Sequence, residues 1–399
     1  MLKVLYNVYK LAETAMAERL EMSHLNEFDF IVIGAGMAGA SVAAPLSRNA
    51  RVAVLEAEQH AGVHSTGRSA ALYSALYGNA VIRALTRVSR PFLFDTPPGF
   101  SEVPFVVPRD TLYFARPDQA ATLAAFRASP DIAAATFELT GSQARERLPV
   151  FLPDYLGSAV VDTGSADIDV DALHQAFLRQ ARTNGAQVCF DHAVRGLRFD
   201  KGRWFVDTAV GTLSAPVVIN AAGAWGDEVA QLAGVAPVGL EPRRRTAVLV
   251  DVPEAHAATA ASWPAAIDID ETFYFKPDAG LMLLSPADQH PSPPCDAQPE
   301  ELDIAIAVDR FEQATGVQVR RVRHRWAGLR VFSPDGVPVV GFDPVAPGFF
   351  WLVGQGGYGI QTAPAMGRAA ACLATGQPLP VDIQAAGVTP AMLTKTRFL

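Results

Sequence analysis

Gly34, Gly36 and Gly39 stand in the spacing G-x-G-x-x-G, and Glu56 follows twenty positions after Gly36. Such a set is suited to holding a dinucleotide. Gly34 permits a tight turn, Gly36 lets a pyrophosphate approach the backbone, and Gly39 lets helix and strand pack closely. The phosphates would lie at the positive end of a helix that carries Ala38 in its first turn. Glu56 would accept hydrogen bonds from both ribose hydroxyls, and its charge disfavours a 2′-phosphate.

The elements that must position these residues are legible around them. Phe28 to Gly34 reads as a buried strand, Ala38 to about Arg48 as a helix, and Arg51 to Glu56 as a second strand. Two later stretches repeat the strand–glycine pattern. Val217 to Asn220 runs into a small-residue turn at Gly223, and Trp351 to Val353 runs into Gly354, Gly356, Gly357, Tyr358, Gly359 and Ile360. The last junction would aim a helix N-terminus at a flavin pyrimidine ring, where negative charge gathers on reduction. A nicotinamide enzyme has no obvious need of it, so the pattern selects FAD. Further along, Asp169 to Arg182 reads as a helix opened by acidic residues. Thr272–Phe275 and Leu281–Leu284 form a hairpin across Pro-Asp-Ala-Gly. Phe349 to Val353 is a final strand, followed by a Gly-rich turn and a helix from about Pro364 to Leu373.

Five stretches carry a wider similarity: His64–Ala71, Asn220–Trp225, Phe273–Gly280, Trp326–Arg330 and Gln355–Thr362. Together they resemble the FAD-dependent D-amino acid oxidase superfamily, which includes glycine and sarcosine oxidases. More narrowly they look like bacterial D-arginine and D-amino acid dehydrogenases. The resemblance implies that Ser65, Arg68, Ser69 and Ala70 contact FAD. It implies that Val194 touches adenine through its backbone, and that the last glycine junction, through Gln361 and Thr362, holds the flavin. The three cysteines, Cys189, Cys295 and Cys372, do not fall where sarcosine oxidases attach flavin, so the FAD is expected to be non-covalent.

For substrate, the resemblance implies a carboxylate clamp at Arg330, aided by Tyr274, with Arg245 as a second active-site arginine. Guanidinium geometry matches a carboxylate in two hydrogen bonds. Tyr77 matches a lid tyrosine, and Gly357 would offer its carbonyl to the substrate amine. No histidine or carboxylate stands out as a general base. Two positions depart from the D-arginine pattern. An acidic residue of the relatives falls at Thr111, next to Asp110, and a pocket histidine falls at Leu72. A pocket without that charge would favour neutral or hydrophobic D-amino acids. An oxidase of sarcosine, glycine or another secondary amine remains open, as do a 2-hydroxy-acid dehydrogenase and a non-enzymatic flavin-binding protein. The electron acceptor is unassigned, with a quinone as one candidate.

The expected fold is α/β, with a Rossmann-like FAD-binding domain assembled from 28–80, 160–235 and 325–399. An α+β substrate domain with an antiparallel sheet would come from 81–159 and 236–324. Half of the 399 residues are hydrophobic and 19% are charged, enough to bury a large core. The net charge of −8 argues against nucleic acid as a partner. Scattered cysteines give neither a disulfide framework nor a metal site, and a reduced cytoplasm fits best. Residues 1–27 carry a weak apolar stripe at Leu2, Leu5, Val8 and Leu11, too polar to span a membrane. They are expected to be an extension, with a helix lying on the inner membrane as the alternative.

Overall fold

The computed structural model describes residues 26–399. The expectation for 1–27 therefore lies almost wholly outside the described residues. Only its end is seen, where Glu27 bridges to Ser214 and Ser214 N–H donates to the Asn26 carbonyl.

The chain builds two large sheets, whose elements are numbered in order. The first run is β1 (Phe30–Ile33), α1 (Met37–Leu46), β2 (Val52–Leu55) and α2 (Ala80–Phe94). Next come β3 (Thr111–Ala115), β4 (Thr136–Thr140), β5 (Ser158–Asp162), α3 (Val170–Thr183), β6 (Gln187–Cys189) and β7 (Val217–Asn220). Then follow β8 (Glu241–Val250), β9 (Ala265–Asp268), β10 (Tyr274–Asp278), β11 (Leu281–Ser285), α4 (Glu301–Thr315) and β12 (Val322–Phe332). Then come β13 (Val339–Phe342), β14 (Phe349–Val353), β15 (Gln355–Gly356) and α5 (Gly359–Ala374), followed by two short helices at Val381–Ala385 and Pro390–Leu393.

One sheet has the order β13-β14-β7-β1-β2-β6 and is parallel except at β13. Its strands are covered on both faces, which is why they read as unbroken apolar runs such as Phe30–Ile33. Val32, Val54, Ile219 and Leu352 face α1, α2 and α5. Ile31, Leu55, Val218 and Trp351 face a three-stranded meander carrying Trp204, Val206 and Leu213. The second sheet runs β15-β12-β8-β11-β10-β9-β3-β5-β4, with His290–Pro291 paired beside β8. It is antiparallel except at the β9–β3 junction and packs against α4 through Phe275 and Phe311.

The mixed α/β architecture and the two sheet types are as the sequence implies. Three strands depart from the expected domain limits. β5, β12 and β15 pair inside the second sheet, although the sequence reading places 160–235 and 325–399 in the nucleotide-binding unit. The hairpin closes with Ala279 and Gly280 both at positive φ, the geometry that twists paired strands together. Asp169 caps α3 by accepting from Ala172 N–H at 2.8 Å.

The α5 helix corrects the sequence reading. It begins at Gly359, not Pro364, so the proline lies inside it. A proline breaks the ladder it enters. Here the neighbouring Ala365 N–H donates instead to Ser89 Oγ of α2 at 3.1 Å, so the helix carries through.

Gly34 has φ of +100°, and a Cβ on Gly39 would be driven into the Gly34 carbonyl oxygen. Gly39→Ala must therefore shift α1 against β1. A loss of roughly 1–3 kcal/mol is expected for such overpacking, read from the denaturant midpoint. An unshifted midpoint would mean that the turn is not close-packed.

Candidate functional site

A continuous cavity of about 610 Å³ begins at the β1–α1 turn and ends between β8, β10 and β12. At its first end the Gly34–Gly36 turn feeds α1. Met37 N–H, one of the helix's free donors, gives its hydrogen to Thr66 Oγ1 at 3.0 Å. Glu56, at the tip of β2, accepts from Ala35 N–H at 2.9 Å and from Glu58 N–H at 3.1 Å, which fixes its carboxylate beside the turn. His174 of α3 donates Nε2–H to the Ala35 carbonyl at 2.7 Å, and burial holds its pKa below the ordinary value. A Cβ on Gly36 would meet only Thr66 Oγ1, so the turn is open toward the cavity. Val194 lies beyond Glu56 along the same wall, and Gly223 also lines the cavity.

The His64–Ala71 loop crosses the middle. Ser65 Oγ donates to the Leu329 carbonyl at 2.6 Å, and Trp326 Nε1 donates to the Arg68 carbonyl at 2.9 Å. Ser69 Oγ accepts from Ala71 N–H, and Ala70 lines the wall. Arg68 lines the wall of the cavity and also braces it. Its guanidinium pairs with Asp296 and donates to the carbonyls of Ala297 at 2.8 Å and Ala327 at 3.1 Å. It ties the Pro-rich loop to β12, its charge already matched.

At the far end stand Tyr77, Arg245, Tyr274 and Arg330, brought together from four segments. The register of β8 and β12 sets Arg245 opposite Gly328, one residue pair from Arg243 opposite Arg330 on that face. Arg330 donates from Nη2 to Tyr77 Oη at 2.7 Å, and its guanidinium carbon lies 5.8–5.9 Å from the rings of Tyr77, Phe332 and Tyr358. Burial works against its charge, but the tyrosine hydroxyls around it, Tyr77 above all, outweigh that cost and raise its pKa. A Cβ on Gly357 would fall where this guanidinium lies, so the two are in direct contact. Arg245 donates from Nε to the Asp288 carbonyl at 2.8 Å and lies 5.9 Å from the Tyr274 ring. Neither arginine makes an ion pair with an Asp or Glu among the described residues. Arg244, on the other face of β8, is held by Glu300 and Asp303.

Several expected residues lie elsewhere. Gly39 sits beneath the turn. Tyr358 packs edge-on against Tyr77, with centroids 4.8 Å apart. Gln361 and Thr362 are buried behind the helix start. Gln361 accepts from Ser74 N–H and donates to Thr86 Oγ1, and Thr362 donates its hydroxyl to the Tyr358 carbonyl. Gly356, Gly359 and Ile360 do line the cavity. Leu72 lines it too, but Thr111 does not: it is fully buried with its hydroxyl given to Ser165 Oγ at 2.9 Å. Asp110 pairs with Arg147 outside. The acidic group that does reach the far end of the cavity is Glu271, exposed in the β9–β10 turn at φ of +54°. Nothing in its local sequence marked it, whereas Thr66 lay inside the quoted loop motif.

The lining fits a flavin dinucleotide. It combines an open glycine turn at a helix start, a carboxylate fixed beside that turn and a second helix start at Gly359. No cysteine lines the cavity among the described residues. No helix among them is long and apolar enough to cross a membrane.

Comparison with known proteins agrees. Residues 29–373 match the family model described as DAO, FAD dependent oxidoreductase. The bovine "FAD-dependent oxidoreductase domain-containing protein 1" is 29% identical over 177 residues, covering 39% of this chain and 35% of the relative. The chain thus spans about a third of that relative's length. Among solved structures, glycine oxidase from Geobacillus kaustophilus superposes with a TM-score of 0.77 at 21% identity, covering 88% of this chain and 95% of that one. L-proline dehydrogenase from P. horikoshii gives 0.80 at 20% identity, covering 94% and 98%. These likenesses are of fold.

Two outcomes follow for the cofactor. Acid denaturation should release FAD into the supernatant, and flavin retained on the precipitated chain would contradict the cysteine-free lining. Glu56→Ala should raise the FAD dissociation constant without unfolding the protein. An unchanged constant by fluorescence titration would remove Glu56 from the ribose.

Proposed function

We propose that this chain, which belongs to the DAO family of FAD-dependent oxidoreductases, oxidises the Cα–N bond of a D-amino acid with a neutral side chain. The observation that carries this reading is the state of Arg330. A cation surrounded by protein normally has a carboxylate beside it, because removing a charge from water is costly unless it is paired. Arg68, Arg83, Arg109 and Arg244 all have such partners. Arg330 has a tyrosine hydroxyl and an open cavity. An anion from outside would complete it, and a carboxylate suits the guanidinium fork.

The chain's residues then divide the work. Arg330 grips the substrate carboxylate, Tyr274 and Tyr77 add phenolic hydrogen bonds, and Arg245 supplies a second positive charge to the same end. The Gly357 carbonyl accepts from the substrate amine. Bound flavin supplies the acceptor for the hydride that leaves Cα. The product is an imino acid, which water converts to a 2-oxo acid and ammonia. Leu72 and Ile267, the latter opposite Tyr274 across the strand pair, give the side-chain end apolar surface. Glu271 is exposed at the rim, where a charge pair contributes little.

Arg330→Lys keeps the charge but loses the bidentate fork. The loss of one charge-assisted hydrogen bond costs about 1.5–3 kcal/mol, roughly ten- to a hundredfold in kcat/KM. Wild-type kcat/KM in this variant would take Arg330 out of the site. In a steady-state panel, D-methionine, D-leucine and D-phenylalanine should exceed D-arginine, since each buried methylene adds about 0.8 kcal/mol. Clear preference for D-arginine would overturn the neutral side chain and give Glu271 the role of its anion.

A further inference from the structure

The substrate end of the cavity is backed by a buried hydrogen-bonded chain that the proposed chemistry does not yet use. Tyr113 of β3 and Ser74 both line the cavity. Tyr113 Oη and Ser74 Oγ are 3.0 Å apart, and Ser74 Oγ donates to Asp162 Oδ2 at 3.1 Å. Asp162 ends β5 with 4% of its surface exposed and makes no ion pair among the described residues. Its other oxygen accepts from Gly164 N–H at 2.8 Å. The Ser74 backbone is held in turn by the buried Gln361 side chain at 3.1 Å. A carboxylate buried without a cation is expensive, and this one is wired to the cavity by two hydroxyls.

We infer that Tyr113, Ser74 and Asp162 form a proton relay that takes one proton from the ammonium group of the bound substrate. This rests on the amine-oxidising reading above. An amino acid reaches the site as an ammonium, and Cα can release a hydride only once the nitrogen has its lone pair. In the relay the N–H bond of the ammonium breaks and its proton goes to the Tyr113 hydroxyl oxygen. Tyr113 passes its own proton to Ser74 Oγ, and Ser74 passes its own to Asp162 Oδ2. The ammonium and carboxylate become an amine and a carboxylic acid. Each hydroxyl ends with one proton, and no electrons are transferred.

The surroundings favour acceptance. Burial lifts the Asp162 carboxyl above the usual carboxylate range, outweighing the Gly164 and Ser74 hydrogen bonds. Asp110 adds to the lift, and Arg90 on α2 opposes it. Tyr73 and Tyr113, which also feel Asp162, are pushed up by burial first, Tyr73 to about 12, so both are neutral near pH 7. Arg90 and Arg87 oppose the rise at Tyr73. Tyr77 and Glu271 act on Tyr113 from the cavity side.

The test compares Asp162→Asn and Ser74→Ala with wild type, all with FAD bound. Near neutral pH, kcat/KM for a D-amino acid that reduces the wild type should fall on the order of a hundredfold. It should climb back toward wild type as pH passes the ammonium's own pKa, because the substrate then arrives already deprotonated. A purely structural role would lower the whole profile evenly, and that result, or an unchanged profile, overturns the relay. If Asp162→Asn does not fold, Ser74→Ala carries the same expectation. A second readout needs no turnover. α-Aminoisobutyrate has no Cα–H, and on binding it should produce a protonated-carboxyl band in the infrared difference spectrum of wild type but not of Asp162→Asn. Absence of the band in wild type overturns the proposal. Should no amino acid reduce the wild-type flavin, the amine-oxidising reading fails first, and the relay with it. Reduction with an unaltered profile sinks the relay alone.

Discussion

The place where Arg330 meets Gly357 governs the rest of the site. The chain leaves the nucleotide-binding sheet at Val353 and by Gln355–Gly356 is already paired with Val331 and Phe332 of the other sheet. The two sheets are thus joined within a few residues, and the guanidinium fills the space that a Cβ at 357 would take. A helix start that can face a flavin and a cation that can hold a carboxylate are therefore held at a fixed separation. Proximity of this kind is where much of an enzyme's rate enhancement resides.

A second fastening holds the same joint from the side. Ser65 and the Arg68 backbone bond to β12, while the Arg68 guanidinium binds the Ala297 and Ala327 carbonyls and Asp296. Thr66 in that loop reaches the start of α1. One short loop thus touches the nucleotide end and the substrate strand together. Its polar composition serves this double attachment as well as any contact with a cofactor, so its motif invites a ligand-binding reading for every residue. Arg68 does both, bracing the joint while it lines the wall with the small residues around it.

How much of this was legible in the sequence depends on the range of each interaction. The β1–α1–β2 unit, the three glycine junctions and the hairpin at Ala279–Gly280 are local patterns, and the structure carries them. The cavity residues Arg330, Arg245, Tyr274 and Tyr77 came through family motifs, and they do converge. What failed was long-range or context-bound. Pro364 suggested a helix start because the rescue of its neighbour by Ser89, 276 positions away, leaves no local trace. Thr111 looked like a pocket residue because alignment gives a position but not the face of a strand, and its side chain went to Ser165. Glu271 and the Tyr113–Ser74–Asp162 chain come from turns and strands distant in sequence, so only the folded chain brings them to the cavity.

The Arg330 charge is stabilised by a tyrosine hydroxyl and ring faces, which hold a cation without cancelling it. The site is therefore poised for an anion, and the proposed amine chemistry rests on that anion and the amine sharing one carbon. The direct measurement is anaerobic mixing of the FAD-loaded protein with D-leucine and, separately, with isopentylamine, the same molecule without its carboxylate. D-leucine should bleach the flavin absorbance while isopentylamine at equal concentration leaves it oxidised. Equal bleaching by both would contradict the carboxylate clamp, which would then do nothing.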